Sequence, residues 1–77
     1  MSKLKELRRK RGFTQLKLQR LTGIDQSDYS KIENGKRSMS FEQCKRIAVA
    51  LKTSMDYIAD LTDEEEPYPR KVKEYEN

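Results

Sequence analysis

Three glycines, at positions 12, 23 and 35, cut the first half of the chain into pieces of single-helix length. Each is followed within a few residues by a side chain suited to open a helix: Thr14, then Asp25, then Ser40. Glycine tolerates the left-handed conformation in which helices end, and the oxygen of a Thr, Asp or Ser side chain accepts the free amide hydrogens of the next first turn. This punctuation predicts helices over 2–11, 15–22 and 26–34. Ser40-Phe41-Glu42-Gln43 reads as a capping box opening a fourth helix, and Ser54 caps a short fifth. Apolar residues recur at helical spacing. Leu4 and Leu7 stripe the first helix, Leu18 and Leu21 the second, and Tyr29 and Ile32 the third. Phe41, Cys44, Ile47, Ala48 and Leu51 stripe the fourth, and Met55, Ile58 and Leu61 the fifth. No stretch alternates as a strand does. The expected fold is all-α, a compact five-helix bundle.

A chain of 77 residues forms one small domain, burying only about 60% of its unfolded surface. The domain is expected over 1–61 and a tail over 62–77. The tail opens with the acidic run Thr62-Asp63-Glu64-Glu65-Glu66, passes through Pro67-Tyr68-Pro69, and closes on mixed charge. It reads as a loosely ordered extension, or as an arm laying Tyr68, Val72 and Tyr75 on a partner subunit. The single cysteine, Cys44, excludes an internal disulfide and a thiolate metal cluster. On the inward stripe of the fourth helix it reads as core. A lone thiol, no segment of signal-peptide character and no apolar run long enough to span a bilayer point to a cytoplasmic protein without a membrane partner. With no histidine, no glycine-rich phosphate loop and no base beside a serine or cysteine, catalysis has nothing to stand on. No enzyme activity, cofactor, metal or small-molecule ligand is expected.

Charge is divided along the chain. Residues 1–37 carry eleven Lys/Arg against four Asp/Glu, and residues 38–77 carry six against nine. A basic half joined to an acidic half suits a protein with one face turned to a polyanion. The second and third helices are joined by Gly23-Ile24-Asp25, the spacing of a helix-turn-helix. At 100° per residue Tyr29 and Ile32 share one face of the third helix, and Gln26, Ser27, Asp28, Ser30 and Lys31 share the other. That outer face holds short, amide and charged side chains only. It fits a major groove and can exchange hydrogen bonds with base edges.

These residues resemble the phage-repressor and Cro-type helix-turn-helix family. The likeness is carried by Leu4-Lys5-Glu6-Leu7-Arg8, by Gly12-Phe13-Thr14-Gln15-Leu16-Lys17-Leu18, and by the run from Thr22 to Arg37 containing Ile32-Glu33-Asn34-Gly35-Lys36-Arg37. It extends through the last two helices to Leu61. The resemblance implies the lambda-repressor-like bundle, with the helix-turn-helix at helices two and three. It also implies sequence-specific binding to double-stranded DNA by a transcriptional regulator, a repressor, acting as a homodimer on an inverted repeat. Gln26, Ser27 and Lys31 would face bases, and Asp28 would accept from a cytosine amine or repel wrong sequences. Thr14, Gln15, Ser30, Asn34, Lys36 and Arg37 would hold the phosphate backbone, with Gln15 also bracing Gln26. Arg8 and Glu33 match a paired position and would form a structural ion pair. Three positions depart from the family: Gln19 stands where alanine is usual, Met39 where proline is common, and Asp28 puts a negative charge on the groove face. The competing reading is an antitoxin or anti-repressor module whose main partner is another protein.

Overall fold

Every stop-and-start signal becomes a helix boundary in the computed structural model, which describes residues 3–67. Five helices follow one another: α1 (Lys3–Lys10), α2 (Gln15–Thr22), α3 (Gln26–Glu33), α4 (Phe41–Leu51) and α5 (Met55–Ile58). No strand occurs among the described residues. The Oγ1 of Thr14 accepts from the Lys17 amide (3.0 Å), and the Ser40 hydroxyl accepts from the Gln43 amide (3.0 Å) while Gln43 returns a carbonyl to the Ser40 amide (2.9 Å). Each bond satisfies an amide that the first turn leaves without a helical partner. α3 ends one residue sooner than the sequence pattern suggests, because Asn34 serves as its C-terminal cap, and α1 ends at Lys10, one residue before Arg11.

α2 packs against α3 and α4, and α4 against α5. Leu4, Leu7, Leu18, Ile24, Tyr29, Ile32, Ile47, Leu51 and Tyr57 form the core between them. Arg11 closes α1 onto the end of α4, donating from Nε to the Leu51 carbonyl (2.9 Å), where the helix presents unpaired acceptors.

Three residues assigned to the inward face lie outside it. Leu21 is half exposed because α2 buries Leu18 and Thr22 instead; it lines an open groove of about 590 Å³ with Phe13, Val49 and Ala50. Phe41 is 73% exposed, while Cys44, Ile47, Ala48 and Leu51 farther along α4 are the residues it buries. Leu61 is 75% exposed: Asp60 adopts a left-handed φ of 66°, turning the chain off the apolar side of α5 before Leu61 is reached.

The acidic run is not simply solvated. Thr53 Oγ1 donates to the Glu65 carbonyl (2.6 Å), Lys10 Nζ donates to Glu65 Oε1 (2.9 Å), and Lys3 Nζ donates to the Thr62 carbonyl (2.8 Å). The Lys3 ammonium also pairs with Asp60 (2.9 Å) and lies over the Tyr57 ring. Residues 60–65, which follow α5, thus strap α1 to the Thr53 turn that precedes α5. The alternative reading of the tail as an arm carrying Tyr68, Val72 and Tyr75 falls outside the described residues.

Candidate nucleic-acid interface

The turn between α2 and α3 is held from several sides. Gly23 takes a left-handed φ of 77° and its amide donates to the Gln19 carbonyl (2.8 Å). Thr22 Oγ1 donates to the Leu18 carbonyl (2.6 Å) and accepts from the Ile24 amide (3.1 Å), while Ile24 itself is buried in the core. From α4, Arg46 donates to the Thr22 carbonyl (3.3 Å). A turn with its polar groups paired and its middle residue buried fixes the angle between the two helices.

The first turn of α3 is equally constrained. Asp25 Oδ2 accepts from both the amide (3.0 Å) and the hydroxyl (2.7 Å) of Ser27, and these bonds hold the Asp25 carboxyl below its ordinary pKa. The amide of Gln26 donates to the side-chain Oε1 of Gln19 (2.7 Å). The brace on Gln26 is therefore Gln19, not Gln15, and it reaches the backbone of Gln26, leaving the side chain outside. Gln19 is the residue that replaces the family's usual alanine. Its longer side chain spans the gap between the two helices.

Gln15 turns inward instead. Its Nε2 donates to Glu33 Oε1 (3.0 Å), and the same carboxylate receives Arg8 Nε (2.7 Å) and Nη2 (2.9 Å) as a two-pronged pair. Arg8 also donates to the Phe13 carbonyl (2.8 Å). Glu33 is only 2% exposed, and burial by itself pushes its carboxyl up. The hydrogen bonds from Arg8 and Gln15 outweigh that and hold it below its usual value. The same bond raises the Arg8 guanidinium. Beside them the hydroxyl of Tyr29 is fully buried, and burial followed by the neighbouring Glu33 charge drives its ionisation far upward. Arg8, Gln15 and Glu33 thus bolt α3 to α1 and to the first residue of α2.

With Tyr29, Ile32 and Glu33 buried, the opposite face of α3 is outermost. Gln26, Ser27 and Lys31 are exposed there, and Asp28 and Ser30 are half-buried. The Ser27 hydroxyl gives its hydrogen to Asp25, so it retains acceptor capacity only. Thr14 has the reverse bias: its oxygen accepts from the α2 backbone, leaving the hydroxyl hydrogen for an outside anion. Gln15 keeps one amide hydrogen at the positive end of α2. Gly35, at φ 75°, ends α3, and the Lys36 amide returns to the Lys31 carbonyl (2.8 Å), presenting Asn34, Lys36 and Arg37 on an exposed loop. Among the described residues no hydrogen bond or ion pair engages the side chains of Gln26, Lys31 or Lys36. Arg37 differs, because its Nη1 donates to Asp28 Oδ1 (2.7 Å). Sequence spacing gave no sign of that pair, which forms across nine positions only because the loop folds back along α3.

Among the described residues no helix is long and apolar enough to cross a membrane, and no group of His, Cys, Asp and Glu is arranged to hold a metal ion. The model of a protein family described as helix-turn-helix matches residues 4–58. Comparison with curated proteins and with solved structures finds no significant match.

Proposed function

The chain belongs to this helix-turn-helix family, of the Cro and phage-repressor type, whose members are DNA-binding transcriptional regulators, and from that membership we propose that it is a repressor binding a specific double-stranded sequence as a homodimer on an inverted repeat. The observation that carries the reading is the outer face of α3, where Gln26, Ser27 and Lys31 stand exposed above an anchored helix. An exposed amide pairs with adenine N6 and N7, and an ammonium donates to guanine O6 or N7. The Ser27 oxygen accepts from a base amine. Thr14 and Gln15 at the start of α2, with Ser30, Asn34, Lys36 and Arg37 at the rim of α3, hold phosphates on either side of the groove.

Binding of wild type, Gln26→Ala and Lys36→Ala to a selected duplex and to random duplex, at several salt concentrations, tests this division of labour. Gln26→Ala costs about 1–3 kcal/mol on the selected duplex and relaxes preference at one base pair per half-site. Lys36→Ala weakens both duplexes alike and lowers the salt slope by about 0.9. Equal loss on both duplexes for Gln26→Ala removes the base-reading role. Wild type that binds no duplex in a salt-dependent manner favours the protein-binding antitoxin or anti-repressor reading.

A further inference from the structure

Asp28 is an awkward residue for a groove-facing helix, because a bare carboxylate there repels the phosphates that flank it. The structure provides it with a counter-charge: Arg37, from the loop after α3, donates to its Oδ1 at 2.7 Å. The two side chains remain 35% and 49% exposed, and a single Nη1–Oδ1 hydrogen bond joins them. Exposed pairs of this kind are screened by salt and open readily. The contrast with Glu33 is instructive, since that carboxylate is buried and held by three donors. Arg37 therefore has one anion in hand, Asp28, and on the DNA-binding reading above a second competes for it, a backbone phosphate.

We propose that the Asp28–Arg37 pair couples base reading to backbone grip, resting on the DNA-binding reading above. Where no base amine faces Asp28, Arg37 stays on the carboxylate, which neutralises it and withholds one cation from the phosphates. Where the bound sequence presents a cytosine to Asp28, the N4 amine replaces the guanidinium as donor. Arg37 then moves to a phosphate and adds one ionic contact. A correct base is thus rewarded twice, once in the groove and once on the backbone, and the second reward appears as salt dependence.

The test is equilibrium binding of wild type, Asp28→Asn, Arg37→Gln and the double variant to the duplex that wild type selects and to random duplex, across a range of KCl. Asp28→Asn frees Arg37 everywhere, so random duplex binds more tightly, its salt slope steepens by about 0.9, and selection for cytosine at one position per half-site is lost, on the order of tenfold. Arg37→Gln flattens the slope on the selected duplex by about 0.9 and on random duplex by less than half of that. In the Arg37→Gln background, Asp28→Asn no longer steepens the slope on random duplex. Equal flattening on both duplexes by Arg37→Gln makes Arg37 a permanent phosphate contact and overturns the proposal. So does an unchanged random-duplex slope for Asp28→Asn, or wild-type selection without a cytosine preference that Asp28→Asn removes. Any of these with wild type still bound to duplex leaves the DNA-binding reading standing. Wild type that binds no duplex removes both.

Discussion

Arg8 and Glu33 meet across 25 positions of sequence, and no local periodicity joins them. Only the family resemblance, which matches both residues to a paired position, points to them from the sequence. The periodic stripes described apolar faces well, yet they are blind to a charge turned inward. Geometry supplies what the sequence leaves out: a two-pronged guanidinium–carboxylate contact at 2.7 and 2.9 Å, with Glu33 2% exposed. Arg8→Ala strands that carboxylate, at a cost of about 3–5 kcal/mol, and thermal unfolding should fall by well over about 10 °C for a domain of this size. Replacing both partners with apolar residues, as in Arg8→Met with Glu33→Leu, should recover most of the loss. The pair also sets a pH dependence. The folded pKa of Glu33 lies below its ordinary value of 4.5. Its stabilisation is therefore complete above that value and fades as pH falls through the lower, folded one. Melting curves from pH 7 down to pH 3 should show an acid limb in wild type that flattens in the double replacement. An Arg8→Ala melting point equal to wild type would show that the pair contributes nothing.

At the scale of helices, caps carried most of the legible information. Thr14, Asp25, Ser40 and Ser54 each accept from a first-turn amide, a local interaction that sequence can encode within three residues. What sequence could not show is where each helix stops having neighbours. Phe41 lies on the same stripe as Cys44 and Ile47 but one turn beyond the core, and Leu61 is lost to the Asp60 turn. Tyr57 is buried in the core with the Lys3 ammonium over its ring, yet it lies off the stripe of Met55, Ile58 and Leu61 by which the sequence marks the inward side of α5. Gln19 shows how one side chain governs an element. Its Oε1 satisfies the Gln26 amide, so Gln19→Ala should cost about 0.5–1.5 kcal/mol of stability. The greater effect belongs to function, because the brace sits under the residue assigned to read a base. Gln19→Ala should lower the ratio of selected to random affinity by several-fold while random-duplex binding changes little. A ratio unchanged within error would show that Asp25 and the buried Ile24 hold α3 without it.

The molecule as a whole is polarised in a way that bears on assembly. Its basic residues concentrate before Ser38 and its acidic ones after, with the acidic strap beside α5. In the homodimer proposed above both copies turn α3 towards one duplex, and we place their contact on the α5 side. There Leu61 stands 75% exposed beyond the half-buried Ile58, an apolar step available for burial against its own copy. A two-fold contact uses such a residue twice. Burying one leucine is worth about 1.5–3 kcal/mol, so Leu61→Asp should weaken dimerisation by far more than tenfold while leaving the monomer folded. The strap dictates how a truncation must be designed. Cutting after Asp63 would release Lys10 and Thr53 from Glu65 and loosen α1, confusing assembly with folding. Cutting after Glu66 spares those bonds and tests the remaining tail alone. Sedimentation of wild type with an inverted-repeat duplex should give two chains per duplex, the half-sites lying about 34 Å apart on one face. Inserting five base pairs between them turns one half-site to the opposite face and should abolish the joint affinity. Wild type that sediments as one chain per duplex, or that tolerates the insertion, defeats the dimer. Leu61→Asp with undiminished dimerisation moves the interface away from α5 and leaves the inverted repeat in place.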